Sequence, residues 1–494
     1  MALFPHSHKT VFVLDHGPYF ALPCQSVEYD AGRRGGPGFV PLKPIKKLVW
    51  TSAVEAVSEY CRIVWDIFPR GERLIRVVVG EVGGGEGWGE GEQCMPAMME
   101  VVAMAGAAST ESRDSDVVAG VRTALELLTR LSPRQLGVAG ENIVNRGRVV
   151  IVTTLESDAR YHQLLSAVEQ QLQAVNKAAA GGEGGAGVVP LAGCEVSVVH
   201  TQPSSAGDIV LRTEQDVLTR LNPVLSTVLH SAIAGPTLAN KLLSLCLSHY
   251  SLASTTVTGI PMKEEQNASS SANYDVELFH VGSAHILMLG DSCDLPLTKK
   301  EDCEYMTATL KWCTPRGSSA VELHHNSGAF RITPTEVNSR QSSCLTNFLL
   351  SGRSVMLEMQ KKGSKLISHM LTSHGGEIFI HSLAASRSAL EDPPSISEGP
   401  GGRVTDYRIN DFALLIKTHR LAPWGPAQDK PSLPPGSRAK QMLDRATRVF
   451  PLTISSTTIF NMPQVAPLIN LLQQEALTDE GVSDCQKVIY NLIR

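Results

Sequence analysis

The chain predicts an α/β protein with a β-rich middle and a helical C-terminal region, and three observations carry that expectation. Apolar runs such as Thr10-Val11-Phe12-Val13-Leu14 alternate with amphipathic helical stretches through the first half, as in a doubly wound, mostly parallel sheet. From Ser254 the texture changes to short alternating runs separated by turn residues, the signature of an antiparallel sandwich or barrel. After two Pro/Gly/Ser tracts, Glu391 to Gly402 and Pro423 to Gly436, helical spacing returns. The expected units are 1–252 (α/β), 253–420 (β) and 421–494 (α).

The first strand ends in Asp15. Ligands of doubly wound domains collect beyond the carboxyl ends of the strands, so Asp15 and the loop His16-Gly17-Pro18-Tyr19 occupy the position of a functional site. A turn-capping role is the competing reading for such an Asp. Trp50 to Phe68 follows with Val54, Val57, Cys61, Val64 and Trp65 at helical spacing, and Pro69 and Gly71 stop it. Leu74 to Val79 is the next strand. The Gly/Glu-rich tract Gly80 to Glu92 lacks the GK[ST] of a phosphate-binding loop and reads as a flexible loop.

Asp116 to Leu131 is an amphipathic helix, Arg148 to Thr153 a β-branched strand, and Ala159 to Ala180 a long helix ending in a second Gly-rich tract. Cys194 to His200 and Val224 to His230 complete the strands, and Pro236 opens the last helix of the unit. In the middle unit the strand signals are Thr255 to Thr258, Tyr274 to Phe279, Thr307 to Trp312, Ala320 to Leu323 and Ser354 to Leu357. Ser437 to Phe450, Val465 to Ala476 and Ser483 to Ile493 read as helices.

Composition excludes several classes. With 43% apolar and 19% charged residues the chain has the make-up of an ordinary globular protein. A net charge of −5 gives no overall basic field, so nucleic-acid contact would need local patches. Candidates are Arg33-Arg34, Lys43 with Lys46-Lys47, and Lys361-Lys362 with Lys365, each competing with a plain solvated face. The start has no signal-peptide pattern, no apolar run spans a bilayer, and the ten cysteines form no CxxC pair, so reduced thiols and no membrane association are expected.

No catalytic constellation emerges. His324-His325 near Cys313 would face opposite sides of a strand, and His369 and His374 miss the i, i+4 spacing of a helical metal pair and read as surface residues. Gly290-Asp291-Ser292-Cys293-Asp294 lacks the second glycine of a nucleophile elbow, and Glu264-Glu265 read as a solvated charge run. No cofactor is expected.

Long blocks carry a more specific signal. Ser254-Thr-Thr-Val-Thr-Gly-Ile-Pro-Met-Lys-Glu-Glu-Gln266, Leu310-Lys-Trp-Cys-Thr-Pro315, Ser368-His-Met-Leu-Thr-Ser-His-Gly-Gly-Glu-Ile-Phe379 and Gly402-Arg-Val-Thr-Asp-Tyr-Arg408 strongly resemble the Asunder family, the thirteenth subunit of the Integrator complex. Ser7 to Val13 and Glu59-Tyr60-Cys61-Arg62 extend the likeness over nearly the whole chain. The resemblance implies a von Willebrand A-like domain, a β-barrel and a helical region, arranged as in the Ku proteins. It implies a non-catalytic subunit that pairs with the fourteenth Integrator subunit and associates with the tenth. It also implies RNA or DNA binding at module level, small nuclear RNA 3′-end processing, attenuation of RNA polymerase II transcription, and a mitotic role in dynein localisation. The implied location is the nucleus, with a cytoplasmic pool.

Two departures accompany the likeness. The Gly-rich tracts look unlike the family, and the chain stops at Arg494, where family members continue into a charged tail that contacts the cleavage module. Metal-binding A-domains resemble one another in an Asp-x-Ser-x-Ser loop. Here the matching positions are Asp15, Gly17 and Tyr19, with Thr154 where a further acidic ligand would help, so a degenerate site without tight magnesium binding is expected. The alternative function is a metal-dependent A-domain binding module acting in the cytoplasm.

Overall fold

A computed structural model describes residues 4–27, 45–80, 82, 87–110, 117–138, 143–182, 185, 187–203, 209–264, 267–284, 297–300, 303–313, 326–361, 364–383, 471 and 478–493. The expected strand Ala320 to Leu323, the helices Ser437 to Phe450 and Val465 to Ala476, and both Pro/Gly/Ser tracts lie outside these residues, apart from residue 471.

The first sheet grows outward from β1 (Lys9–Leu14), as its apolar run predicts. An antiparallel ribbon, β2 (Pro23–Val27) with β3 (Ile45–Leu48), leads into helix α1 (Val49–Ile67). Then come β4 (Leu74–Val79), α2 (Met95–Ala105), α3 (Val117–Thr129), the single turn α4 (Pro133–Leu136) and β5 (Arg146–Thr153). Helix α5 (Asp158–Ala180), β6 (Gly193–Gln202), the short β7 (Thr219–Arg220), β8 (Leu225–Ile233) and α6 (Pro236–Tyr250) complete the unit. The sheet order is β4-β1-β5-β6-β8-β7, parallel throughout except for β7.

The physical reason for the doubly apolar strands is visible in the packing. Phe12, Leu14, Val150 and Val152 point into one core shared with α1, α2 and α6, while Val11, Val13, Val149 and Ile151 point into another shared with α3 and α5. Helices on both faces leave no solvated side for polar alternation. The tract expected to be a flexible loop is anchored near its end: Trp88 is buried and donates its indole N–H to the Leu127 carbonyl at 3.0 Å, and Glu92 pairs with Arg76 at 2.5 Å.

The second sheet contains β9 (Leu252–Glu264), β10 (Asn267–Val281), β11 (Leu297–Lys300), β12 (Cys303–Cys313), β13 (Asn326–Arg331) and β14 (Thr333–Pro334). Helix α7 (Arg340–Leu350) precedes β15 (Val355–Lys361), β16 (Ser364–His374) and β17 (Glu377–Leu383), and the helix α8 (Asp479–Ile493) stands near the end of the chain. The order is β13-β17-β16-β15-β12-β9-β10-β14, with β11 beside β12. All pairs are antiparallel except β9 with β12.

This corrects the expected β-barrel: among the described residues the sheet is not closed. Its two end strands are consecutive in the chain, so they meet end to end rather than side by side. Arg331 pairs with Phe379 on β17, the Ile332 amide donates to the Ile378 carbonyl, and Thr333 already pairs with Phe279 on β10. Val257, Leu278, Leu310, Leu357 and Ile380 form the core beneath, with Leu345 and Leu349 of α7.

Arg62 joins the two sheets. It lies on α1, is 1% exposed, and makes a two-pronged pair with Glu59 (2.8 and 2.6 Å) and a bond to Asp66 (3.0 Å). Its remaining N–H groups reach the second sheet, donating to the Thr333 hydroxyl and, at 3.0 Å, to the Pro334 carbonyl. Thr333 in turn donates to Asp66 at 2.8 Å. Burial alone would lower the guanidinium pKa, but Glu59 and Asp66 raise it, so the charge stays fixed. Removing one partner of such a group strands the others in a dry site. Arg62→Ala is therefore expected to lose about 3–5 kcal/mol of stability in urea unfolding; a loss below about 1 kcal/mol would show that the junction is held by other contacts.

Candidate functional site

Strand order reverses its winding between β1 and β5, and the cleft beyond that point holds the predicted residues. Asp15 follows β1, Thr153 ends β5 with Thr154 just beyond it, and Gly17 and Tyr19 belong to the loop after β1, which closes as a single helical turn at Pro18–Ala21. The opposite wall comes from Val117 and Val118 at the start of α3 and from Arg160, Gln163 and Leu164 of α5. The cavity measures about 320 Å³.

The carboxylate of Asp15 is committed internally. One oxygen accepts the Gly17 amide at 2.8 Å and the other accepts the Thr153 hydroxyl at 2.6 Å. The Thr154 hydroxyl turns away and donates to the Thr201 carbonyl at 2.7 Å. Gly17 brings no side-chain oxygen. A magnesium ion of the A-domain type needs several hard oxygen ligands, and these residues do not supply them. Among the described residues no group of three or more His, Cys, Asp or Glu side chains could hold a metal.

The basic candidates do not gather at one place among the described residues. Arg33, Arg34, Lys43 and Lys362 lie outside them. Lys46 is exposed, whereas Lys47 pairs with Glu55 of α1 and serves the ribbon. Lys361 and Lys365 stand on adjoining ends of β15 and β16, where Lys361 pairs with Ser364 and Lys365 with Gln360. The segments Gly290 to Asp294 and His324-His325 also lie outside. Of the two histidines expected at the surface, His374 is exposed but His369 is fully buried, with its ring sharing a 2.7 Å hydrogen bond with the Ser368 hydroxyl. A bulge at Ser368 interrupts the register before it, and His369 lies on the inward face that it shares with Leu371, two residues on.

Several buried ionisable groups escape the sequence reading. The Lys9 ammonium donates to the carbonyls of Leu128 (2.6 Å) and Arg130 (2.9 Å) and to Asn145 Oδ1 (2.7 Å), and burial pulls its pKa down to about 7. The only signal is a lysine at the head of an apolar strand. His200, in register with Thr153 and Ser231, accepts the Leu155 amide at its Nδ1 (2.9 Å). Its proton must then sit on Nε2. Burial brings its pKa down to about 4.

His200 thus stays neutral in the fold while the unfolded chain takes up a proton near its ordinary pKa. The unfolded state binds more protons between those two values, so stability falls as pH drops through that window. About 2 kcal/mol of stability should be lost through this group between about pH 7.5 and about pH 5. His200→Asn keeps an acceptor for Leu155 and cannot titrate. Urea melts at the two pH values should show a smaller acid loss for the variant, and equal losses would rule His200 out as a source.

Comparison with known proteins gives matches over the whole length. The family described as cell cycle and development regulator Mat89Bb matches residues 4–494. The chain is 46% identical over 512 residues to Integrator complex subunit 13 of Homo sapiens, covering 100% of this chain and 71% of the relative. It is 45% identical over 511 residues to the subunit of the same name from Mus musculus, covering 100% and 69%. Protein asunder of Drosophila willistoni is 39% identical over 515 residues, covering 100% and 74%.

Proposed function

This chain belongs to the Mat89Bb family, that of Integrator complex subunit 13 and Protein asunder, and from that premise we propose that it is a non-catalytic scaffold subunit of the Integrator complex. The observation that carries the reading is a similarity that takes in 100% of this chain. The proposal gives it a von Willebrand A-like unit at 1–252, a unit built on the open second sheet at 253–420 and a helical region at 421–494, in a Ku-like arrangement. It pairs with the fourteenth Integrator subunit, associates with the tenth, and binds RNA or DNA only within the assembled module. Its work is small nuclear RNA 3′-end processing and attenuation of RNA polymerase II transcription in the nucleus, with a cytoplasmic pool serving mitosis and dynein localisation. Recruitment of the cleavage module goes with the family's charged tail.

The internal commitment of Asp15, whose two carboxylate oxygens are taken by Gly17 and Thr153, supports reading the A-domain metal position as degenerate. Tagged chain recovered from nuclear extract is expected to bring the tenth and fourteenth subunits into the eluate; an eluate without Integrator subunits would overturn the scaffold reading.

The second reading, a metal-dependent A-domain module in the cytoplasm, requires a working ion site at Asp15. Titration calorimetry with magnesium or manganese is expected to show no binding at the micromolar level. Micromolar binding that Asp15→Ala abolishes would favour that second reading instead.

A further inference from the structure

Strand β4 is the outer strand of the first sheet and pairs only with β1 among the described residues. The Ile75 amide donates to the side-chain Oε1 of Gln93 at 2.7 Å, and Val79 exchanges two hydrogen bonds with Val82 (2.8 and 2.9 Å). Both therefore turn their backbone groups away from β1, and strand alternation turns those of Val77 the same way. The edge is capped at each end by the chain itself and, among the described residues, left unpaired at its centre.

A groove of about 350 Å³ lies at that centre, between β4, Trp65 of α1 and the Met98, Val101 and Met104 side chains of α2. Met104 is 68% exposed, an unusual position for a thioether. Two donors at this edge are buried without an acceptor among the described residues: the indole Nε1 of Trp65, a groove-lining residue 8% exposed, and the Nε2 of Gln93, 2% exposed. Buried donors of this kind cost stability unless something accepts from them. Among the described residues that line it, Glu92 and Glu100 are the acids and Arg76 the one cation, which Glu92 engages.

These features specify an occupant rich in acceptors, apolar at one point and cationic at the next. We infer that the groove beside β4 is a docking site for an extended peptide segment of a partner protein, bonded through its backbone to Val77. An apolar side chain of the segment fills the space between Met98, Val101 and Met104, and a neighbouring Lys or Arg meets Glu100. Added strands take affinity from main-chain hydrogen bonds and specificity from alternate side-chain pockets, and methionine walls adapt to different apolar residues. The inference rests on the scaffold reading only in expecting a protein partner.

The test is selection of short random peptides displayed on phage against the purified full chain, followed by binding and amide-exchange measurements with the enriched synthetic peptides. Enriched peptides are expected to pair an apolar residue with an adjacent Lys or Arg and to slow exchange at Val77. Met104→Glu, a substitution at an exposed position that leaves the core alone, and Val77→Pro, which removes the edge amide, should each weaken binding roughly tenfold. Trp65→Phe, which deletes the buried donor, should weaken it by a smaller factor. Failure to enrich any binder, or binding that Met104→Glu leaves unchanged and that does not protect Val77, overturns the inference. Because the peptides meet the isolated chain, these outcomes are independent of whether Integrator subunits co-purify with it.

Discussion

One guanidinium fixes the orientation of two sheets that also share an apolar core through Phe279 and Tyr305. Arg62 could satisfy its charge with Glu59 and Asp66 on its own helix, but that would leave donors facing a dry interface. Thr333 and Pro334 take those donors, so α1 belongs to both sheets at once. Apolar contact alone tolerates sliding, whereas a planar fork with fixed acceptors admits one orientation. The geometry of β14, only two residues long, follows from this: it must present one hydroxyl and one carbonyl to α1 while pairing with β10.

The same helix also governs the faces of the first sheet. Its apolar side supplies much of one core, its Trp65 lines the groove at β4, and its Glu55 holds the ribbon through Lys47. Its buried Arg62 and Asp66 are thus assigned to structure. The switch-point cleft shows a similar economy, because Asp15 is consumed by its own loop and by Thr153.

What could be read from residues alone was whatever depends on near neighbours. The strand through Val11 and Val13, the helix through Val57 and Val64, and the place of Asp15 at a strand end are all set by local pattern. Helix α2 was hidden because Met95, Met98, Met99, Val101 and Met104 surround it without a clean stripe. Arg62 was hidden because a charged residue on a helix ordinarily marks the wet face, although Glu59 and Asp66 at its i−3 and i+4 positions among Cys61, Val64 and Trp65 were a usable hint. The fate of Asp15 turns on Thr153, 138 residues away, and the burial of His369 on the neighbours of the strand face it shares with Leu371. The open path of the second sheet depends on which residues Arg331 and Thr333 meet, and no period in the sequence encodes that.

The split pairing of β13 and β14 has a consequence for synthesis. As the chain leaves the ribosome, Thr333–Pro334 can settle at once on β10, which has already emerged. Asn326–Arg331 cannot, because its partner β17 lies downstream of α7 and two further strands. For that interval the nascent protein carries an unpaired strand immediately next to a docked one, with Phe330 among its residues. Non-local pairings of this kind form late and expose adhesive edges while they wait. The seam between β13 and β17 is thus where a chaperone would have most to protect, and where a stalled or slowed chain would most readily pair with the wrong neighbour.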